Sequence, residues 1–237
     1  MRRVGWLILT FATPLAAQET ELPTVRYPPL PTIAAKPADF ISPDWQAVSI
    51  RHADFNRDGL TDVAMVLRMR SSANFVKRDF NDKPYDTNPY RMVIAFKLRS
   101  KALRLIVDNR KFFPRPEAFS RGDEALDADT LKVANGSLDL FQQYLRSNDR
   151  YRFRWSKGAF RLIGYKYVGS DGGCLTTTSI DFLTRRAMIE VEPLGEDGKG
   201  SKVIRSTRTA RLLSLEDASA DGFYPEKYVV GSLPTCP

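Results

Sequence analysis

Residues 131–167 read LKVANGSLDLFQQYLRSNDRYRFRWSKGAFRLIGYKY and alternate apolar with polar side chains on both sides of tight-turn signals. The dipeptide Asn135-Gly136 separates the first two runs, and both residues tolerate the positive φ angles of a two-residue hairpin. The tripeptide Ser-Lys-Gly at 156–158 has the same place between the next two runs. The pattern predicts consecutive antiparallel strands joined by short hairpins.

One part of this stretch fits two structures. The apolar side chains of residues 137–145 also recur at the spacing of one helical face, at Leu138, Phe141, Tyr144 and Leu145. A short helix is therefore the alternative to a strand at this place, and we expect the strand.

Elsewhere, apolar and β-branched residues recur in short runs that are broken by turn residues, and long helical periodicity is scarce. Long polar stretches at 71–89, 109–129 and 195–200 are typical of loops. Strands are expected at 47–54, 62–69, 91–98, 103–108, 131–134, 137–141, 150–155, 160–167, 177–183, 187–191 and 210–215.

These signals predict an all-β protein with minor helix, folded as a single-domain antiparallel β-sandwich or open β-barrel. No internal repeat is visible in the sequence, which argues against a full propeller.

The chain begins with a pattern that is typical of secretory signal peptides. Arg2 and Arg3 precede a short apolar run, and small residues end it at Ala17. A membrane anchor is the alternative, but the run is shorter than the roughly 18 to 20 apolar residues that a span needs. We expect a signal peptide at 1–17, a proline-rich extended leader at 18–43 and one β-rich domain at 44–237, in the periplasm or secreted.

The net charge is positive but moderate. The full chain carries +8 at pH 7, from 36 Lys plus Arg against 28 Asp plus Glu, and loss of Arg2 and Arg3 would leave +6. Such an excess favours acidic partners, but a solvated surface whose net charge keeps the protein soluble is the simpler interpretation.

The chain has two cysteines, Cys174 and Cys236. An exported chain meets an oxidising compartment, where an unpaired thiol is a liability, so we expect the two to form a disulfide. The C-terminal residues 228–237 show few other anchoring features.

Residues 54–62 read DFNRDGLTD and carry the most distinctive chemistry in the chain. Oxygen side chains stand at positions 1, 3, 5 and 9, Gly59 allows a sharp turn, and a backbone carbonyl is available at position 7. A hard cation such as Ca²⁺ prefers these ligands. The alternative is an acidic turn that uses Asn and Gly only for its geometry.

Position 12, where an EF-hand has a bidentate Glu, is Met65, so the match is to a shorter loop. The loop and its flanking strands resemble the FG-GAP or VCBS type of calcium loop, which here occurs once. The chain is also similar to uncharacterised exported bacterial domains that combine this loop with later motifs, matched at 54–67, 151–154 (YRFR), 160–167 (FRLIGYKY) and 181–184 (DFLT). The resemblance implies a structural Ca²⁺ held by Asp54, Asn56, Asp58, the Leu60 carbonyl and Asp62, and it implies no activity.

Residues 150–155 read RYRFRW and alternate strictly, so a strand would turn three guanidinium groups to one side and three aromatic rings to the other. We call Arg150, Arg152 and Arg154 the arginine face. A solvated basic face over an aromatic core is the simpler interpretation. The alternative is a binding patch for an anion or a glycan, extended by Arg161 and Lys166. Nucleic acid is not expected as a partner of an exported protein.

Signals for catalysis are weak. His52 is the only histidine, and its alternation with Val48 and Ile50 predicts a core position. Neither a nucleophile elbow nor a phosphate-binding Gly loop occurs. An acid/base pair for glycoside hydrolysis would have to come from loop carboxylates such as Asp123, Glu124, Asp127 and Asp129.

The sequence therefore favours a non-enzymatic binding module without a membrane span, whose partner is an unidentified protein or an anionic envelope polymer. Three alternatives stay open: a hydrolase that acts on envelope or extracellular polymers, a periplasmic inhibitor or immunity-type protein, and a structural component of an envelope assembly.

Overall fold

Antiparallel strands dominate the structure, as the alternating sequence predicts. The structure, a computed structural model, describes residues 22–78, 81–116, 126–195, 200–208, 212–234 and 236. Within these ranges the helical segments are single 3-10 turns of three or four residues. The all-β prediction is confirmed. The predicted signal peptide, residues 1–17, lies outside the described residues.

One sheet has five strands: β1 (Ile33–Ala34), β2 (Trp45–Ala53), β3 (Asp62–Met69), β6 (Tyr90–Lys97) and β7 (Leu103–Asn109). They are all antiparallel and lie in the order β1-β7-β6-β3-β2. A separate hairpin of β4 (Phe75–Arg78) and β5 (Asn81–Asp86) extends from it between β3 and β6.

The other sheet is a seven-stranded meander in which every strand pairs with its neighbour in sequence. Its strands are β8 (Leu131–Ala134), β9 (Ser137–Gln143), β10 (Ser147–Ser156), β11 (Ala159–Asp171), β12 (Cys174–Asp181), β13 (Arg186–Pro193) and β14 (Ser201–Ser206). The predicted turns have the expected geometry, because Asn135-Gly136 and Lys157-Gly158 all take positive φ, between 50° and 77°. Residues 137–143 form a strand and not the alternative helix.

The two sheets pack face to face as a β-sandwich. Aromatic rings meet between them, with Phe96 of β6 against Trp155 of β10 at 4.8 Å and Phe55 against Phe160 of β11 at 5.7 Å between centroids. The shared core buries Ile94 and Phe153 completely. This core fixes which face of β10 and β11 is turned to solvent.

The five-stranded sheet is buried on its second face as well, by the chain before β2. Val25, Tyr27 and Leu30 pack on a cluster that includes Met65 of β3 and Val93 of β6. Two arginines hold this segment by its carbonyl groups, since Arg91 donates to Pro28 at 2.8 Å and Arg115 donates to Pro23 at 2.6 Å.

His52 is exposed and does not lie in the core, so that prediction is wrong. A β-bulge at Val48 shifts the register between Ala47 and Ser49. A one-residue shift turns every later side chain of a strand to the opposite face. After the bulge Ser49 points inward and is 3% exposed, while His52 turns outward.

Three other expectations differ from the structure. The predicted loop 71–89 contains the β4–β5 hairpin, and the predicted loop 195–200 is followed by the unpredicted strand β14. Of the predicted strand 210–215, residues 210–211 lie outside the described residues, and Ser214 makes only an isolated bridge with Arg161. Strand signals were missed at β4, β5 and β14 because charged and polar residues dominate these edge and hairpin strands.

Cys174 and Cys236 are joined by a disulfide, as predicted. The C-terminal segment has further anchors that the sequence did not indicate. Val229 is fully buried, and the Tyr228 ring stacks on Phe223 with 4.9 Å between centroids. Among the described residues, no helix has the length and apolar character needed to cross a membrane.

Candidate functional site

The outer face of the seven-stranded sheet carries the arginine face. Alternation along β10 turns Tyr151 and Phe153 into the core, where they are 2% and 0% exposed. The arginines between them point the other way, with Arg150 and Arg152 exposed and Arg154 half-buried. The sandwich core therefore holds the three guanidinium groups on one solvent-facing surface.

A groove of about 390 Å³ lies at this surface, and we call it the arginine groove. It spans the three central strands β10, β11 and β12. The groove is lined by the arginine face together with Ile163, Gly164, Lys166, Ser179, Asp181 and Leu183.

The cations of the groove differ in how far they are neutralised. Arg152 donates two hydrogen bonds to the Asp139 carboxylate of β9, at 2.7 and 2.8 Å, and this carboxylate raises the pKa of Arg152. Arg154 donates a hydrogen bond to the hydroxyl of Ser137 at 3.1 Å. The guanidinium carbon of Arg150 lies over the Phe141 ring, 5.9 Å from the ring centroid.

Lys166 lies directly opposite Arg150 in the register of β10 and β11. Within the described ranges, neither of these side chains nor Arg154 forms an ion pair with a carboxylate. Like charges in directly opposed positions destabilise a sheet. The groove thus holds a local excess of positive charge.

A bulge and a glycine shape the floor of the groove. Arg152 pairs with Gly164 and Phe153 pairs with Leu162, so Ile163 is the extra residue of a bulge in β11. A Cβ atom at Gly164 would lie 3.6 Å from Arg152 Cβ and 3.6 Å from the Ile180 carbonyl oxygen. The absent side chain therefore leaves open space at the centre of the groove.

Asp181 and Leu183 form the end of the groove at β12. Asp181 Oδ1 accepts hydrogen bonds from the backbone amides of Leu183 and Thr184, at 2.8 and 3.0 Å. These bonds fix the carboxylate, and its Oδ2 has no hydrogen-bond partner in the described part of the chain. Leu183 is 57% exposed and adds an apolar surface at the rim.

Residues 54–62, which we call the acidic loop, connect β2 to β3 through a tight turn. Asp54 accepts hydrogen bonds from the amides of Asp58 at 3.1 Å and Gly59 at 2.8 Å. Asp58 in turn accepts from the Leu60 amide at 2.8 Å and from the Asn56 side chain at 2.9 Å. The φ of Gly59 is 84°, which is the left-handed region that glycine adopts without strain. The structure thus brings Asp54, Asn56 and Asp58 together in one turn.

Asp62 has a different environment from the other loop acids. Its side chain is fully buried and accepts hydrogen bonds from the amides of Phe55 and Lys97, both at 2.9 Å. Burial raises the pKa of Asp62, and the charges of Asp58 and Asp54 add to this while the two amides oppose it. Asp62 therefore links the loop to the end of β6.

No group of three or more His, Cys, Asp or Glu side chains in the described ranges is arranged to hold a metal ion. Of the five predicted calcium ligands, Asp54, Asn56 and Asp58 are joined by hydrogen bonds in one turn, whereas Asp62 is occupied by two backbone amides. Calcium binding at this loop stays a prediction.

Sequence reasoning missed a buried acid beneath the arginine face. Asp149 is 9% exposed and accepts hydrogen bonds from Tyr165 at 2.6 Å and Tyr151 at 3.4 Å. Burial raises the pKa of Asp149, although the two tyrosine bonds oppose the shift. The strand alternation contains the signal, because Asp149 has the same parity as the core residues Tyr151 and Phe153.

The loop carboxylates considered for hydrolysis are not a pair in the described structure. Asp123 and Glu124 lie outside the described residues. Asp127 accepts a hydrogen bond from the amide of Asp129 at 2.8 Å and caps a 3-10 turn, and Asp129 is 3.5 Å from Lys132 on the surface.

Comparison of the chain with protein-family models, with curated proteins and with solved structures gave no match.

Proposed function

We propose that this protein is an exported, non-enzymatic binding module whose arginine groove takes an anionic partner. The observation that carries the proposal is the groove itself, in which Arg150, Arg154 and Lys166 lack carboxylate partners among the described residues. The paired strands fix the backbone beneath these cations, so anion binding has to order only their side chains.

The chemistry of the groove supports binding rather than acid/base catalysis. Hydrolysis of a glycosidic bond uses two carboxyl groups that flank the scissile bond. The described lining of the arginine groove offers one carboxylate, Asp181, and it is held by two backbone amides. Cations fixed on a surface instead attract and orient an acidic partner.

Export is part of the proposal and has two supports. The disulfide between Cys174 and Cys236 is consistent with an oxidising compartment. The charged and then apolar start of the chain is the pattern of a signal peptide.

The proposal also assigns a structural Ca²⁺ to the acidic loop. Carboxylate and amide oxygens are the right donors for a hard cation, and Asp54, Asn56 and Asp58 already share one turn. Burial is the main cause of the raised pKa of Asp62, and the negative charges of Asp58 and Asp54, which a bound cation would compensate, add to it. Asp54, Asn56, Asp58, the Leu60 carbonyl and Asp62 would hold the ion, which would stiffen the turn between β2 and β3.

Retention on immobilised polyanions tests the binding proposal. The purified disulfide-bonded protein is applied at low salt to sulfated dextran, polyglutamate and polygalacturonate, with neutral dextran as the control matrix. Binding to at least one polyanion is expected, with elution at moderate salt because counterions screen the contact. The double variant R150Q/K166Q should lose retention, whereas R99Q, which removes an exposed charge from the turn between β6 and β7, should keep it.

The proposed function is wrong if no polyanion retains the protein, or if R150Q/K166Q elutes at the same salt concentration as R99Q.

A further inference from the structure

The arginine groove has two rows of side chains that cross its three strands. One row joins Arg150, Lys166 and Ser179, and the other joins Arg152, Gly164 and Asp181. Neighbouring strands lie about 4.8 Å apart, and side chains two residues apart on one face lie about 7 Å apart. The two rows therefore frame a patch of roughly the size of one sugar ring.

The first row supplies the site for an acid group. Arg150 and Lys166 face each other without a described carboxylate partner. A carboxylate or sulfate placed between them accepts charge-assisted hydrogen bonds from both and removes their repulsion. Arg152 contributes less to this site because Asp139 already neutralises it through two hydrogen bonds.

The second row supplies space and hydrogen-bond acceptors. Gly164 leaves room for a ring above the sheet, and the apolar side chains of Ile163 and Leu183 also line the groove. Asp181 Oδ2 can accept a hydrogen bond from a hydroxyl group, and the Ser179 hydroxyl can donate or accept one. A ligand that carries only negative charge would be repelled by Asp181, whereas one with both acid and hydroxyl groups matches the row.

The sheet position of the groove disfavours a peptide ligand. Extended peptides gain much of their affinity by adding a strand to a free sheet edge. The groove lies on the central strands β10, β11 and β12, whose backbones are paired on both sides. A peptide would have to bind through its side chains alone.

We propose that the arginine groove binds an acidic sugar unit of a polysaccharide, with its carboxylate or sulfate between Arg150 and Lys166 and its ring over Gly164. This inference rests on the proposed function, because it names the class of anionic partner.

Calorimetric titration with three matched probes tests the inference. The probes are tetragalacturonate, the neutral tetragalactose, and N-acetylated, amidated tetraglutamate, which has the same charge as the first. Tetragalacturonate should bind about tenfold more tightly than either control.

Three variants locate the ligand. Lys166→Gln should weaken tetragalacturonate binding about tenfold, and Gly164→Val should weaken it at least as much by filling the floor. Asp181→Asn should weaken tetragalacturonate binding. It should leave the binding of inorganic sulfate unchanged or strengthen it, because sulfate has no hydroxyl group that could donate a hydrogen bond to Asp181. Thermal melts show that each variant is folded, and R99Q serves as the charge control.

The probes and variants distinguish failure of the sugar assignment from failure of the proposed function. Equal or tighter binding of tetraglutamate overturns the sugar assignment but leaves the anionic-partner function in place. Tetragalacturonate binding that Gly164→Val does not change also overturns it, because the sugar then lies elsewhere. Failure of all polyanions to bind overturns the proposed function itself.

Discussion

Arg152 of β10 donates two hydrogen bonds to Asp139 of β9, from Nε at 2.7 Å and from Nη2 at 2.8 Å. The Asp139 side chain is only 9% exposed, whereas Arg152 is about half exposed. The arginine face is therefore not uniform: its middle member balances a nearly buried carboxylate, while Arg150 and Arg154 have no such partner among the described residues.

The first prediction separates these roles by stability. Arg152→Gln leaves the Asp139 carboxylate poorly compensated, so we expect a loss of about 1 kcal/mol in the free energy of unfolding. Arg150→Gln should change it by less than about 0.5 kcal/mol, because exposed charges contribute little. Urea denaturation measures both. The double variant Arg152→Gln/Asp139→Asn should recover part of the loss, and equal effects of the two single variants would contradict the account.

The second prediction concerns pH and the buried Asp149. Burial raises the folded-state pKa of Asp149 above the ordinary value of 3.8. The stabilisation that this group contributes to the folded state is therefore fully present below pH 3.8. It is lost as the pH rises through the folded pKa. Asp149→Asn removes the titration while its carbonyl oxygen can still accept the Tyr165 hydrogen bond.

Urea denaturation from pH 4 to pH 7 measures the effect. As the pH rises, the free energy of unfolding of the Asn variant should increase relative to that of the wild type. The increase should be about 1.4 kcal/mol for each unit by which the pKa of Asp149 is raised. The difference between the two proteins cancels the similar contribution of Asp62. A difference that stays constant with pH would show that Asp149 titrates normally.

The third prediction compares two glycines of β11. A Cβ atom at Gly169 would lie only 2.7 Å from Ser147 Cβ and would also clash with the Tyr167 ring. Gly169→Ala should therefore cost about 1 to 3 kcal/mol of stability. Gly164→Ala is the matched control, because its Cβ would make only ordinary contacts at 3.6 Å. Equal denaturation midpoints for the two variants would be inconsistent with the close packing at Gly169.

The fourth prediction concerns the disulfide, which closes a loop between residues 62 positions apart. Chain entropy for a loop of this length is worth about 4 kcal/mol, so Cys174→Ser/Cys236→Ser should lower the melting temperature by roughly 10 °C. Peptide mapping without reduction should find the two cysteines in one linked pair. Two freely alkylatable thiols in protein produced in an oxidising compartment would refute the bond.

The fifth prediction concerns the acidic loop. At free calcium about a hundredfold above the dissociation constant, binding to the native state adds about 2.7 kcal/mol, which raises the melting temperature by several degrees. Asp58→Ala should abolish this response, while Asp44→Ala, which removes an exposed acid outside the loop, should retain it. Identical melts in millimolar calcium and in chelator would favour a turn that its own hydrogen bonds hold without a metal.

Strand alternation predicted the meander and the arginine face because β8 to β13 are joined by short turns and packed on one side. The pattern failed where local geometry interrupts it, as at the bulge of β2 that turns His52 outward. It also cannot show pairing across strands, so the ion pair of Arg152 with Asp139 was not expected. That pair depends on the register of β9 against β10, which the sequence constrains only through its turns.

The sequence also did not indicate which segments pack on each other across long sequence distances. The prolines before Trp45 predicted an extended segment but not its contact with the five-stranded sheet, which Arg91 and Arg115 fix through carbonyl groups far away in sequence. Gly164 likewise gave no sequence signal, because its role is the space that it leaves in the arginine groove.

Amide chemical-shift mapping by NMR, during titration with sulfated dextran oligomers at low salt, tests the central claim most directly. The account predicts that the shifts concentrate at residues 150–154, 164–166 and 179–183, and that they disappear in R150Q/K166Q but persist in R99Q. Shifts spread evenly over the basic surface, or centred on another part of the molecule, would contradict the assignment of the arginine groove as the binding site.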